Sequence, residues 1–186
     1  MVQKSKAKRA LLIGDTHFGD ADIIRYERPQ FKNVSEMDNF LIEQWNSCVT
    51  DDDAVFVLGD FSLHPFEKTQ KICDKLNGTT ILIKGNHDLH DDDFYKDCGI
   101  FKVYEFPIII DGFWILSHEP MYMNDAMPYA NIFAHVHNSR FYRGVSPNGY
   151  CVSAEREYMN FKPKPFDDIK SAVKWKHENE FKAFYK

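Results

Sequence analysis

Five short apolar runs in this 186-residue chain are each followed at once by side chains able to bind a metal ion. ALLIG (10–14) leads to Asp15-Thr16-His17, AVFVLG (54–59) to Asp60, and TTILIKG (79–85) to Asn86-His87-Asp88. FWILS (113–117) leads to His118, and NIFA (131–134) to His135-Val136-His137. Five of the eight histidines therefore sit directly behind apolar runs, and chance scatter does not produce that. Carboxylates, imidazoles and one amide suit Mn, Fe or Zn rather than Ca or Mg, which prefer all-oxygen shells. Asp15, Asp60 and Asn86 with His17, His118, His135 and His137 are too many ligands for one ion and about right for two that share a carboxylate. Two ions ~3.5–4 Å apart acidify a bridging water and neutralise the oxygens of a phosphorus centre during in-line displacement. This chemistry points to hydrolysis of a phosphate ester, with binuclear amide hydrolysis as the competitor.

Such ligands need strands to deliver them. Runs this short and this rich in Ile, Val and Phe suit buried strands, at 10–14, 54–58, 79–84, 101–106, 107–117, 131–134 and 150–153. Open α/β sheets place their ligand sites at the C-terminal ends of strands, where all five clusters fall. His-x-His on a strand puts both rings on one face. Asp111-Gly112 between two apolar runs predicts a two-residue hairpin turn. Helices are predicted between the strands: one capped at Ser35 with Phe40, Leu41, Trp45 and Val49 on one face, and one over 65–77 ending at Asn77-Gly78. A last helix runs from Pro165-Phe166 through Ile169, Val173 and Trp175. Strands alternating with helices predict an α/β fold, to which the hairpin adds antiparallel strands.

Composition is that of a globular domain, with 44% hydrophobic and 27% charged residues. We expect one domain over 1–186, with a flexible basic tail at 1–9. The net charge of −5 supplies no large basic face and argues against binding of extended nucleic acid. The apolar run behind the basic start is too short for an export signal, no run approaches a membrane span, and the four cysteines lack any CxxC pair. These features lead us to expect a cytoplasmic protein with reduced thiols. Arg25 and Arg28, just downstream of the first cluster, are candidates to clamp a substrate phosphate. Oligomeric state is not legible.

The ordered blocks Asp15-x-His17, Gly59-Asp60, Gly85-Asn86-His87-Asp88, His118 and His135-x-His137 resemble the signature of the calcineurin-like metallophosphoesterases. The stretch 14–31, with Trp45-Asn46 and 53–61, is similar to a small single-domain bacterial and phage branch. The resemblance implies a β-sandwich of two mixed sheets flanked by helices (α/β/β/α). It implies a first metal on Asp15, His17, Asp60 and His137, bridged by Asp60 to a second on Asn86, His118 and His135. The two divalent ions would be Mn, or else Fe, Zn or Ni. A bridging hydroxide would attack phosphorus while His87, its ring oriented by Asp88, stabilises charge and protonates the leaving oxygen. The expected substrate is a small phosphate ester, a diester before a monoester. A metal-binding scaffold without turnover and a nuclease are the alternatives. Two departures from the pattern matter. Ala134 stands where glycine is usual, and Asp20 and Asp22 stand where the branch has His and Asn. If Asp20 and Asp22 touch substrate, their charge would repel phosphate.

Overall fold

The computed structural model describes residues 8–123, 127–139 and 148–176. Strands β1 (Ala10–Ile13), β2 (Ala54–Leu58), β3 (Thr79–Ile83) and β4 (Lys102–Tyr104) run parallel in one sheet. Its order is β4-β3-β2-β1-β9, and β9 (Lys164–Pro165) pairs antiparallel with β1. In the second sheet β5 (Ile108–Ile110) pairs antiparallel with β6 (Trp114–Leu116), which continues in parallel to β7 (Ala130–Phe133) and β8 (Gly149–Cys151). Helices α1 (Ala21–Tyr26), α2 (Val34–Asn46), α3 (Phe66–Cys73), α4 (Asp92–Asp97) and α5 (Phe166–Lys176) flank the sheets. The chain thus has the α/β architecture of two mixed sheets that its sequence predicts.

Leu11, Leu12 and Ile13 of β1 are buried in succession, as are Val57-Leu58 of β2 and Leu82-Ile83 of β3. Unbroken burial is what parallel strands covered on both faces require. Met37, Leu41 and Trp45, four residues apart, bring one stripe of α2 into that core, and Leu116, Ala130 and Ile132 bring in the second sheet. Trp45 Nε1 donates to Asn77 O at 2.9 Å. Asn46 ties the same two segments together, donating to Lys75 O at 2.7 Å and accepting from Asn77 N at 2.9 Å.

Several boundaries shift from the sequence reading. Asn33, not Ser35, caps α2, accepting from Glu36 N at 2.9 Å, while the Glu36 carboxylate accepts from Lys32 N. Helix α3 stops at Cys73, four residues before Asn77, with Asp74 as its cap. Asp111 and Gly112 do take positive φ (53° and 66°), but Ile110 pairs with Trp114, so Phe113 makes the loop three residues long. Helices α1 and α4 and the two-residue β9 are too short to carry a periodic signal. Residues 1–7 lie outside the described residues, but Lys8 and Arg9 are fixed: Lys8 N donates to Asp52 O, and Arg9 Nε donates to Asp53 at 3.0 Å. All four cysteines are unpaired, and no described helix is long and apolar enough to cross a membrane.

Candidate metal centre

The C-terminal ends of β1, β2 and β3 face those of β6 and β7, and the five ligand blocks leave from them. The two sheets meet at this edge through a bridge between Gly14 and Ser153, where Gly14 N donates to Val152 O at 2.8 Å. A Cβ on Gly14 would stand 2.3 Å from the Ala134 Cβ. The methyl of Ala134, which departs from the usual glycine, is therefore accommodated by the bare backbone of Gly14. Gly59 (φ 80°) serves the second sheet in the same way, because a Cβ there would fall 2.2 Å from His118 Nδ1.

Asp15, His17, Asp60, His135 and His137 all adopt positive φ, between 46° and 67°. Non-glycine residues seldom do so, and such conformations cost about 1–3 kcal/mol each. The strained turns aim the side chains inward. Two groups of potential ligand atoms, each within 4.8 Å of one another, result: Asp15, His17 and His137, and Asp60, His118 and His135. Asn86 Oδ1 joins the second group, 2.9 Å from both His118 Nε2 and His135 Nδ1. Asp60 Oδ2 lies between the groups, 3.4 Å from His17 Nε2 and 3.3 Å from His118 Nε2.

These residues fit a pair of cations. Donors on neighbouring corners around a small divalent ion, each at ~2.1 Å, stand roughly 3 Å apart, as those of the second group do. In the first group Asp15 Oδ2 and His17 Nε2 are buried with no hydrogen-bond partner. A chain that satisfies nearly all its buried polar atoms leaves such a pair where an ion is to be held.

The outward nitrogens of these rings are held by the protein, which fixes their tautomers. His118 Nδ1 donates to Leu58 O at 2.9 Å, and His17 Nδ1 lies 3.0 Å from Asp20 Oδ2. Burial alone would lower both imidazoles. Asp20 and Asp60 around His17 instead raise it to about 9, and Asp60 with Asp15 raises His118 to about 9. Burial would raise Asp60, yet His118 and His17 hold it far below the ordinary carboxylate range. Asp20 is thus the partner of His17 and the N-cap of α1, accepting from Asp22 N and Ile23 N. Its carboxylate is therefore engaged within the protein. Asp22 is exposed in the first turn of α1.

His87 is exposed, its ring centroid 5.4 Å from that of His17, and its backbone N–H donates to Asp60 Oδ1 at 2.9 Å. Asp88 does not orient the His87 ring. Its buried carboxylate accepts from the backbone N–H groups of Gly85, Asp60 and Phe61 at 2.9, 2.7 and 2.9 Å, stapling the β2 loop to the β3 loop. Burial pushes the Asp88 carboxyl up from its ordinary value.

Arg28 is also not a substrate clamp, because it is 0% exposed. It donates to Thr16 O at 2.9 Å, to Asp15 O, and to Glu155 Oε2 at 3.1 Å. Glu155, which sequence reasoning missed, bonds His137 Nδ1 through its other oxygen. Burial would raise the Glu155 carboxyl, but His137 and Arg28 hold it at about 2. Glu155 stands four residues past the end of β8, not directly behind it as the five sequence clusters stand behind their runs. It belongs to none of the ordered motif blocks. Arg25 is exposed beside the Tyr26 ring, 5.4 Å from its centroid. His64 pairs with Asp38 at 2.7 Å, and His90 stacks on Phe94 at 3.8 Å. Arg140, Arg143 and His177 lie outside the described residues.

Comparison with known proteins agrees with this geometry. An uncharacterized protein of Methanocaldococcus jannaschii is 33% identical over 172 residues, covering 87% of this chain and 89% of that protein. The crystal structure of a protein of unknown function from Aquifex aeolicus superposes with a TM-score of 0.68 at 25% identity, covering 88% of this chain and 98% of that one. The nuclease MPE of Pseudomonas putida shares the fold with a TM-score of 0.50 at 24% identity, over 71% of this chain and 63% of that one. Residues 8–183 match the family model described as calcineurin-like phosphoesterase, and with the ligand set in place the chain belongs to that family.

Proposed function

We propose that this protein hydrolyses a small phosphate ester, a diester in preference to a monoester, with two divalent ions held by seven side chains. Asp15, His17, Asp60 and His137 would hold one ion, and Asp60, Asn86, His118 and His135 the other, with Mn favoured over Fe, Zn or Ni. The observation that carries this reading is the position of Asp60 Oδ2, within 3.4 Å of a histidine of each group. When bound, such a pair supplies an acidified water and neutralises charge on a phosphoryl group.

The chain's own residues do the rest. The backbone N–H of His87 on Asp60 Oδ1 leaves Oδ2 free to face both groups. The exposed His87 imidazole, edge-on to His17, would hydrogen-bond a phosphoryl oxygen and give its proton to the departing alkoxide. The diester preference rests on the likeness of residues 14–31 to the small single-domain branch. We place the activity in the cytoplasm, on a freely diffusing ester rather than on a nucleic-acid polymer.

His87 tests the assignment. His87→Ala should lower kcat on a chromogenic phosphodiester by about 10²–10⁴-fold with metal content unchanged. An unaltered kcat would remove His87 from the reaction.

A further inference from the structure

We propose that Glu155 and Arg28 are positioning residues for the first metal site alone, a buried relay that presents His137 and the Asp15 turn to one of the two ions. This rests on the reading that Asp15, His17 and His137 hold a metal.

The pair is costly to keep. Arg28 is 0% and the Glu155 side chain 4% exposed, and their closest atoms are 3.1 Å apart. Taking both charges out of water offsets most of their attraction, so stability alone does not account for such a pair. What they touch does. One Glu155 oxygen bonds His137 Nδ1, which leaves Nε2 as the lone pair available for an ion. The other oxygen holds Arg28, whose guanidinium also donates to the carbonyls of Thr16 and Asp15. Asp15 (φ 55°) and His137 (φ 46°) lie 122 residues apart and are both strained. Through the Arg28–Glu155 bridge a continuous chain of polar contacts joins the backbone of one to the ring of the other.

Apart from the His135 N–H, which donates to Asp15 Oδ1 at 3.0 Å, the second group is held by other means. His118 leans on Leu58 O, and Asn86 spans His118 and His135. None of these bonds involves Arg28 or Glu155. Disabling the relay should therefore separate the two sites, which a general loss of packing would not do.

The test is a stepwise titration of the metal-free protein with Co(II), read by calorimetry and by the visible absorption of each bound equivalent. The wild type is expected to take up two equivalents. Glu155→Gln, close in size, should weaken one step by about 10–100-fold, shift the spectrum of that equivalent, and leave the other step alone. Arg28→Met should weaken the same step, and combining it with Glu155→Gln should add little, because both act through one contact chain. If Arg28→Met does not fold, the site-selective effect of Glu155→Gln alone decides. A wild type binding fewer than two equivalents would overturn the dinuclear reading itself. Two equivalents in the wild type, with both steps or neither altered by Glu155→Gln, would overturn the relay alone.

Discussion

Single side chains at this site divide into those that line the candidate cation sites and those that hold the loops, and Asp88 is of the second kind. It accepts from three buried backbone N–H groups, and removing the acceptor strands those donors. Asp88→Ala should cost about 2–4 kcal/mol, lowering the melting temperature of the metal-free protein by roughly 5–15 °C. An unchanged melting curve would return Asp88 to a purely chemical role. The family resemblance assigned Asp88 to the ring of His87, its neighbour in the chain. Adjacency does not reveal that three N–H groups from two loops need an acceptor there. His17 and His118 make a second case. Both are raised to about 9 from 6.5, so without metal they favour the protonated form. The stability they contribute is complete below about 6.5 and is lost as pH rises through 9. An ion needs the same lone pairs and must displace those protons. Mn titration at pH 7.5 in two buffers of different ionisation heat should show release of about two protons, with affinity rising with pH up to 9. Heats independent of buffer would contradict this.

Among the elements, the parallel strands were legible because most are short, largely apolar runs, and β2 begins and ends where its sequence run does. The short elements α1, α4 and β9 were not, since they are set by caps and pairing rather than by periodicity. What no strand prediction shows is how closely the two sheets approach at β1 and β7. Gly14→Ala should destabilise the protein by about 1–3 kcal/mol, because its Cβ would meet both Ala134 Cβ at 2.3 Å and Leu58 O at 2.9 Å. Adding Ala134→Gly removes the first clash and leaves the second. The double variant should recover part of the loss, measured as denaturation midpoints. Strictly additive effects would mean that the two residues do not share this contact.

At the scale of the molecule, two sheets aim the C-terminal ends of β1, β2, β3, β6 and β7 at one edge, and residues from Asp15 to His137 converge there. The candidate ligand residues could be read from the sequence because their types recur behind strands and in the order of a known family. The parts that hold them, Asp20, Glu155 and Arg28, could not, since a carboxylate that braces a histidine has no fixed spacing from it. The claim on which the account stands is that Asp60 lies between two cation sites. Crystals grown with Mn and measured for anomalous scattering at the Mn edge test it most directly. The account predicts two peaks ~3.5–4 Å apart, one among Asp15, His17 and His137 and one among Asn86, His118 and His135, with Asp60 touching both. A single peak, or peaks that Asp60 does not join, would contradict it.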